Sequence, residues 1–166
     1  MTRSRGASLS PALVERFSQR DLVRRLGTAL PLVTLDAQGH PHPMVVSYLE
    51  VHAYDPGTLG LVIHGRSGSA RNLSERRVGT LLVLEPDVTV YVKTRTVDGP
   101  LDVPGGEGMG LGYFLLEVEE VIEDSPAGWE AGMKITSGVR YAPPPSLDEP
   151  WARITLAALA APRARA

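Results

Sequence analysis

Three compact turn signals constrain this chain more than any other feature: Asp36-Ala37-Gln38-Gly39, Asp55-Pro56-Gly57-Thr58 and Glu85-Pro86-Asp87. Each joins two runs rich in Val, Leu, Ile and Thr, and Gly, Pro and Asp at those points supply the dihedrals that reverse a chain in a few residues. The flanking runs are Ala29–Leu35 and 43–51, then 59–64, then 79–84 and 88–96. Strands joined this tightly pair antiparallel. Patterning of the same kind over 113–122 and 151–156 raises the total to six or seven strands. Helical signals are too few for a doubly wound parallel sheet, which needs a crossover helix after each strand. The expectation is therefore mainly β with flanking helices, in a closed or nearly closed antiparallel barrel.

Between the strands the signals are local. Ser10-Pro11 reads as a cap and first helical position, and Leu13, Val14, Phe17, Leu22, Val23 and Leu26 follow at helical spacing up to Gly27. Ser18 with Asp21 leaves open one bent helix or two short ones. Residues 97–112 carry two prolines and six glycines, a composition expected of a mobile flap. Ser125-Pro126 could open a short helix, and Pro143-Pro144-Pro145 reads as an extended linker. With 166 residues and no internal repeat, one domain is expected, with residues 1–10 and 158–166 as disordered tails.

Composition excludes several chemistries. The chain has no cysteine, hence no disulfide, thiolate zinc site or cysteine nucleophile. A net charge of −2 argues against binding nucleic acid through global charge, and the N-terminal Arg3, Arg5, Arg16, Arg20, Arg24 and Arg25 read as a solvated helix face. No apolar run has membrane-spanning length and no secretory leader is evident, so a cytoplasmic protein is expected. His40-Pro41-His42 lacks a third ligand at metal-site spacing, and the glycines of 105–110 do not open a helix after a strand as a dinucleotide fingerprint must. The Walker lysine, the Gly-x-Ser-x-Gly elbow and the His-Glu-x-x-His pair are missing too. Glu117, Glu119, Glu120, Glu123 and Asp124 read as a solvated edge rather than paired catalytic carboxylates.

One stretch carries chemistry. Ile63-His64-Gly65-Arg66-Ser67-Gly68-Ser69-Ala70-Arg71-Asn72-Leu73 leaves a strand-like run, turns through two glycines and enters a short helix. Amides at a helix start, two hydroxyls and the guanidinium of Arg66 or Arg71 make an anion cradle; the alternative is a plain solvated loop.

The order of these segments resembles the pyridoxamine 5′-phosphate oxidase-like FMN-binding split barrels. The resemblance runs over about residues 12–96 and rests on Leu30-Pro31-Leu32-Val33-Thr34-Leu35-Asp36, the turn Gly39-His40-Pro41-His42-Pro43 and above all Ser67-Gly68-Ser69-Ala70-Arg71-Asn72-Leu73. It implies a split β-barrel whose two copies form a homodimer with FMN in the groove between them. It places Ser67 and Ser69 at the cofactor phosphate, Met44, Val45, Val46 and Ser47 on the strand bordering the ring, and Ile63 and His64 where the next strand meets the cofactor. Many members carry a lysine or arginine at the position of Ser69. A neutral donor there is weaker than a charged one, and Arg66 or Arg71 must supply the charge. Residues 97–166 match no version of the family, and the basic residues of a pyridoxal-phosphate site are not found there.

The resemblance implies flavin-dependent redox chemistry on an unidentified small molecule, the cofactor carrying the reaction while the protein orients it and excludes water. No catalytic residue is assigned. Residues 97–112 are expected to act as a lid. The alternatives are a non-catalytic flavin-binding or cofactor-free dimeric barrel, favoured by the missing charge at Ser69, and the same barrel holding haem or a deazaflavin.

Overall fold

The computed structural model describes residues 2–126, 128–130 and 132–162. Among them are eight strands: β1 (Thr2–Ser4), β2 (Ala29–Leu35), β3 (Pro41–Ser47), β4 (Val51–Asp55), β5 (Thr58–His64), β6 (Val78–Glu85), β7 (Val88–Asp102) and β8 (Leu111–Asp124). The helices are α1 (Pro11–Arg16), α2 (Leu22–Arg25), α3 (Gly68–Glu75) and α4 (Pro150–Leu159). All strand pairings are antiparallel, in the order β3-β2-β6-β7-β8-β5-β4, with β1 alongside the end of β8. The sheet is mainly β, as expected, but it is not a closed ring. Its two terminal strands, β3 and β4, are consecutive in the chain and are separated by a 3-10 turn at Tyr48–Glu50.

That turn corrects the single strand expected over 43–51. Ser47 and Glu50 form a capping box, the Glu50 carboxylate accepting from the Ser47 amide at 2.6 Å and from its hydroxyl at 2.9 Å. With its polar groups met locally, the backbone leaves the ladder and swings to the opposite side of the sheet.

The interior is filled by alternate residues of the strands, among them Leu30, Leu32, Val46, Leu61, Val83, Val92, Phe114 and Leu116, and is closed on one side by Phe17 and Leu13 of the N-terminal helices. Ser10 caps α1 as expected, accepting from the Leu13 amide. The signals around Ser18 and Asp21 resolve into two short helices. A polar lock ties them to the barrel: Arg16 donates to Glu85 Oε1 at 2.9 Å and to Asp87, the Tyr48 hydroxyl donates to Glu85, and Arg25 lies 5.3 Å from the centre of the Tyr48 ring. Burial, then the Glu85 carboxylate, push the Tyr48 phenol above its usual range.

Five other expectations are corrected. The strand expected at 151–156 is helix α4, opened by Pro150 and buried through Ala152, Thr155, Ala158 and Leu159. Residues 97–112 are not a mobile flap, because β7 continues to Asp102 and its register shifts absorb Gly99 and Pro100. Only 103–110 connects β7 to β8, pinned by buried Val103, by the Gly106 amide on the Val103 carbonyl, and by the Gly65 amide on the Gly110 carbonyl at 2.7 Å. The expected N-terminal tail contains β1, paired to β8 residues Ile122–Asp124, and at the other end Ala158 and Leu159 are buried; residues 163–166 of that expected tail lie outside the described residues. The acidic run is not a sheet edge either. Strand β8 pairs with three others, and its carboxylates meet cations across the ladder in Lys93–Glu120, Arg95–Glu119 and Arg5–Glu123. No helix opens at Ser125-Pro126 among the described residues; a 3-10 turn follows at Gly128–Glu130.

A second, smaller core lies outside the first. Here α4 covers Val62 and Tyr113, with Val103 and Leu101 beneath it. The Tyr54 hydroxyl sits 3.0 Å from that of Tyr113. No helix among the described residues is long and apolar enough to cross a membrane.

Candidate functional site

Strand β5 ends at His64, and after three intervening residues α3 begins. The turn is tight because the Ser67 amide donates to the His64 carbonyl at 3.0 Å. Ser67 is the cap: its backbone is extended, and its hydroxyl oxygen accepts from the Ala70 amide at 3.1 Å. This leaves the hydroxyl proton able to donate outward. The amides of Gly68 and Ser69 stand in the first turn, where a helix offers no internal acceptor, and none is found for them among the described residues.

Two guanidiniums border this turn. Arg66 and Arg71 are both exposed and have no carboxylate partner among the described residues, whereas Arg5, Arg16 and Arg95 are each ion-paired. Ser69 differs from the sequence expectation, being only 1% exposed. Its neighbours Ala70 and Leu73 sink into the main core, and the same helix face takes Ser69 inward. Ser69 can therefore contribute its backbone amide, not an outward-facing side chain.

Strand β3 runs beside α3. Val46 and Ser47 are buried, Met44 is packed on the core, and Val45 points outward at 48% exposure. Ile63 is buried in β5 and His64 exposed at its end. The turn thus brings Arg66, Ser67 and Gly68 together at the start of α3, with Arg71 one helical turn beyond Ser67 and Ser69 buried beneath them.

One neighbour was not expected. A Cβ built on Gly68 would lie 3.0 Å from His42 Nε2, so the imidazole rests against the first turn of α3, and glycine is what admits it. The strand behind the ring is tied to α3: the Asn72 side-chain amide donates to Thr34 Oγ1 at 2.9 Å, and Thr34 Oγ1 donates to the His42 backbone carbonyl at 3.2 Å. Asn72 and Thr34 are buried. At the adjoining turn the His40 amide, bonded to Asp36 Oδ1 at 2.8 Å, holds that carboxyl below its usual range, helped by the Gln38 amide and by the charges of His40 and His42. His42 pairs with Thr34 across the β2–β3 ladder, and this period-two register was the available clue. No group of three or more potential metal ligands occurs among the described residues.

A cleft of about 300 Å³ adjoins the cradle, lined by Gly65, Arg66, Leu101, Asp102, Glu107 and Gly110. Arg66 borders both. A larger cavity of about 1190 Å³ lies elsewhere, between α1, the β6–β7 turn and Met133 and Ile135, and no cradle residue lines it.

Solved structures of the same architecture exist. The chain is similar to a protein of Lactobacillus delbrueckii with a provisional pyridoxamine 5′-phosphate oxidase assignment, at 18% identity over 73% of this chain and 98% of that one, with a TM-score of 0.52. It is also similar to an FMN-binding protein from Syntrophomonas wolfei, at 13% identity over 70% and 91% of the two chains, with a TM-score of 0.51. The chain has the pyridoxamine 5′-phosphate oxidase-like split-barrel fold. The chain is likewise similar to HupZ of Group A Streptococcus, at 9% identity over 80% of this chain and 99% of that one, with a TM-score of 0.51. No protein-family model and no curated protein matches the sequence. In this split barrel the opening falls at the Tyr48–Glu50 turn, so β3 keeps a single strand neighbour, β2, along the side next to α3.

Proposed function

We propose that this chain binds FMN, its phosphate in the cradle at the start of α3 and its ring along β3, as one half of a cytoplasmic homodimer that carries out flavin-dependent redox chemistry on a small molecule. The observation that carries the reading is the turn from β5 into α3: a capped helix start with amides of Gly68 and Ser69 unmatched among the described residues, the Ser67 hydroxyl, and two arginines without carboxylate partners there. Helix-start amides and guanidiniums are matched to a dianionic phosphate in both charge and geometry. Arg66 and Arg71 supply the charge that Ser69 does not. Val45, half exposed on the outer face of a strand with one neighbour, supports burial of β3 against a second copy.

When bound, the isoalloxazine ring would supply the two-electron chemistry. The chain's own share is to orient it: Met44 to Ser47 offer backbone along the ring, and the cleft shared by Arg66 offers the substrate a place beside it.

The test is flavin fluorescence titration. Replacing Arg71 with Ala should raise the FMN dissociation constant about tenfold or more, since a lost hydrogen bond to a charged group is worth roughly 1.5–3 kcal/mol, while Arg24→Ala leaves it unchanged. Equal constants for the two variants would refute the assignment. Burial of Ser69 favours a second reading, a cofactor-free dimer of the same barrel. Wild-type protein that purifies colourless and does not quench added FMN would establish it.

A further inference from the structure

Resting on the FMN reading above, we infer that His42 is a phosphate ligand of this chain, its Nε2 completing the cradle in place of the missing cation at Ser69, and that Asn72 positions it through Thr34. Three observations carry this. His42 Nε2 lies 3.0 Å from where a Cβ on Gly68 would be, against the turn whose amides lack internal acceptors among the described residues. The ring belongs to the inward face of β3, in register with the buried Thr34, so it reaches α3 from the sheet side, whereas Arg66 and Arg71 are exposed. The bonds from Asn72 to Thr34 to the His42 carbonyl are made of buried groups and tie α3 to the β2–β3 hairpin at one point. A phosphate on the α3 amides would thus meet an imidazole whose strand is already fixed against α3, and preorganised donors bind anions at little cost in ordering.

The charged groups near His42 fit an anion. Asp36 is a carboxylate that feels the charge of His42, and its Oδ1 is already engaged by the His40 and Gln38 amides. The imidazole also explains why a small residue follows Ser67. A Cβ at position 68 would meet Nε2 at 3.0 Å and Cε1 at 3.2 Å, so the ring would have to shift to accept one.

Titrations of FMN and of riboflavin, which lacks the phosphate, separate the possibilities in the full-length protein. His42→Ala should weaken FMN about tenfold or more and leave riboflavin unchanged, while His42→Gln, which keeps a donor, should retain most of the FMN affinity. Asn72→Ala should lose FMN affinity selectively as well, and the double variant should lose no more than His42→Ala alone, because one acts through the other. In 15N spectra the His42 Nε2 resonance of the wild-type protein should move on adding FMN and stay on adding riboflavin. His42→Ala binding FMN as the wild type does, while Arg71→Ala is impaired, would overturn the inference and leave the FMN reading standing. Equal loss of FMN and riboflavin in His42→Ala would also overturn it, as a merely structural role. Wild-type protein that binds FMN no tighter than riboflavin would remove the phosphate cradle itself, and His42 with it.

Discussion

Replacing Gly60 with Ala separates local preference from tertiary packing, because the two predict opposite signs. Gly60 has an ordinary strand conformation, and on backbone entropy alone alanine should stabilise the position by about 0.4–1 kcal/mol. The surroundings forbid it. A Cβ at Gly60 would lie 2.6 Å from the Tyr54 hydroxyl, 2.9 Å from Tyr54 Cε2 and 2.9 Å from Leu159 Cδ2. Carbon contacts are optimal at about 3.5–4.0 Å, so the ring must move by the better part of an ångström. It cannot move freely, since its hydroxyl sits 3.0 Å from that of Tyr113, a residue with no exposed surface. Overpacking of this kind costs about 1–3 kcal/mol, and disturbing a buried hydroxyl pair about 1 kcal/mol more, giving a loss of roughly 2–4 kcal/mol. For a domain of this size each kcal/mol moves the melting midpoint by about 2–4 °C. The assay is urea unfolding with an unchanged slope, repeated in a Tyr54→Phe background, where the atom nearest the new Cβ is gone. The Ala substitution should be less damaging there by about 1 kcal/mol. A Gly60→Ala protein as stable as the wild type, or equally damaged in both backgrounds, would refute the packing argument.

Two further outcomes are expected. Burial holds the Glu50 carboxyl above its usual range, so the folded state binds its proton more tightly than the unfolded state; that contribution is fully present at low pH and fades as pH rises through the raised value. Glu50→Gln should therefore unfold less readily than the wild type at pH 7 and show no advantage at pH 4, and urea midpoints with the same ranking at both pH values would refute this. Leu159 has no exposed surface under α4, and Leu159→Ala should lose about 2–5 kcal/mol; because its small core is separate from the cradle, FMN affinity measured by fluorescence should be unchanged.

What was legible in the sequence was what a few adjacent residues decide. The turns at Asp36, Asp55 and Glu85, the cap at Ser10 and the passage from strand to helix at Ser67 all formed as their residues demand. The turn at Tyr48–Glu50 had its signal in plain view, since Ser47-Tyr48-Leu49-Glu50 has the spacing of a capping box, but the apolar run around it reads as one strand. At 151–156 a short apolar run fits either period, and only Pro150 before it and the alanines after it favour a helix. Strand β7 continues through Gly99 and Pro100 because β8 supplies a partner on the far side of each register shift, a fact no local window contains. The polar Thr2-Arg3-Ser4 has no strand pattern at all; it pairs because β8 is long enough to offer a ladder beyond β5. The sequence offers His42 only as a metal-ligand candidate and as part of a turn, for the same reason: its neighbour Gly68 is remote in sequence and is brought to it by the ladder and by Asn72.

The misread turn is also the one that links fold to site. Had residues 43–51 stayed extended, β3 and β4 would be one strand and the sheet would close on itself, covering the edge of β3 that the cradle adjoins. Closing it would require Glu50 to give up the Ser47 amide and hydroxyl while still partly buried, and such a carboxylate deprived of its donors is costlier than a few unmade ladder bonds at a solvated edge. The barrel therefore stays split for an electrostatic reason local to four residues. The same four residues leave β3 with one neighbour and an exposed Val45 on its outer face. A surface for a second copy and a strand available to a flat ring both follow from where one carboxylate is satisfied.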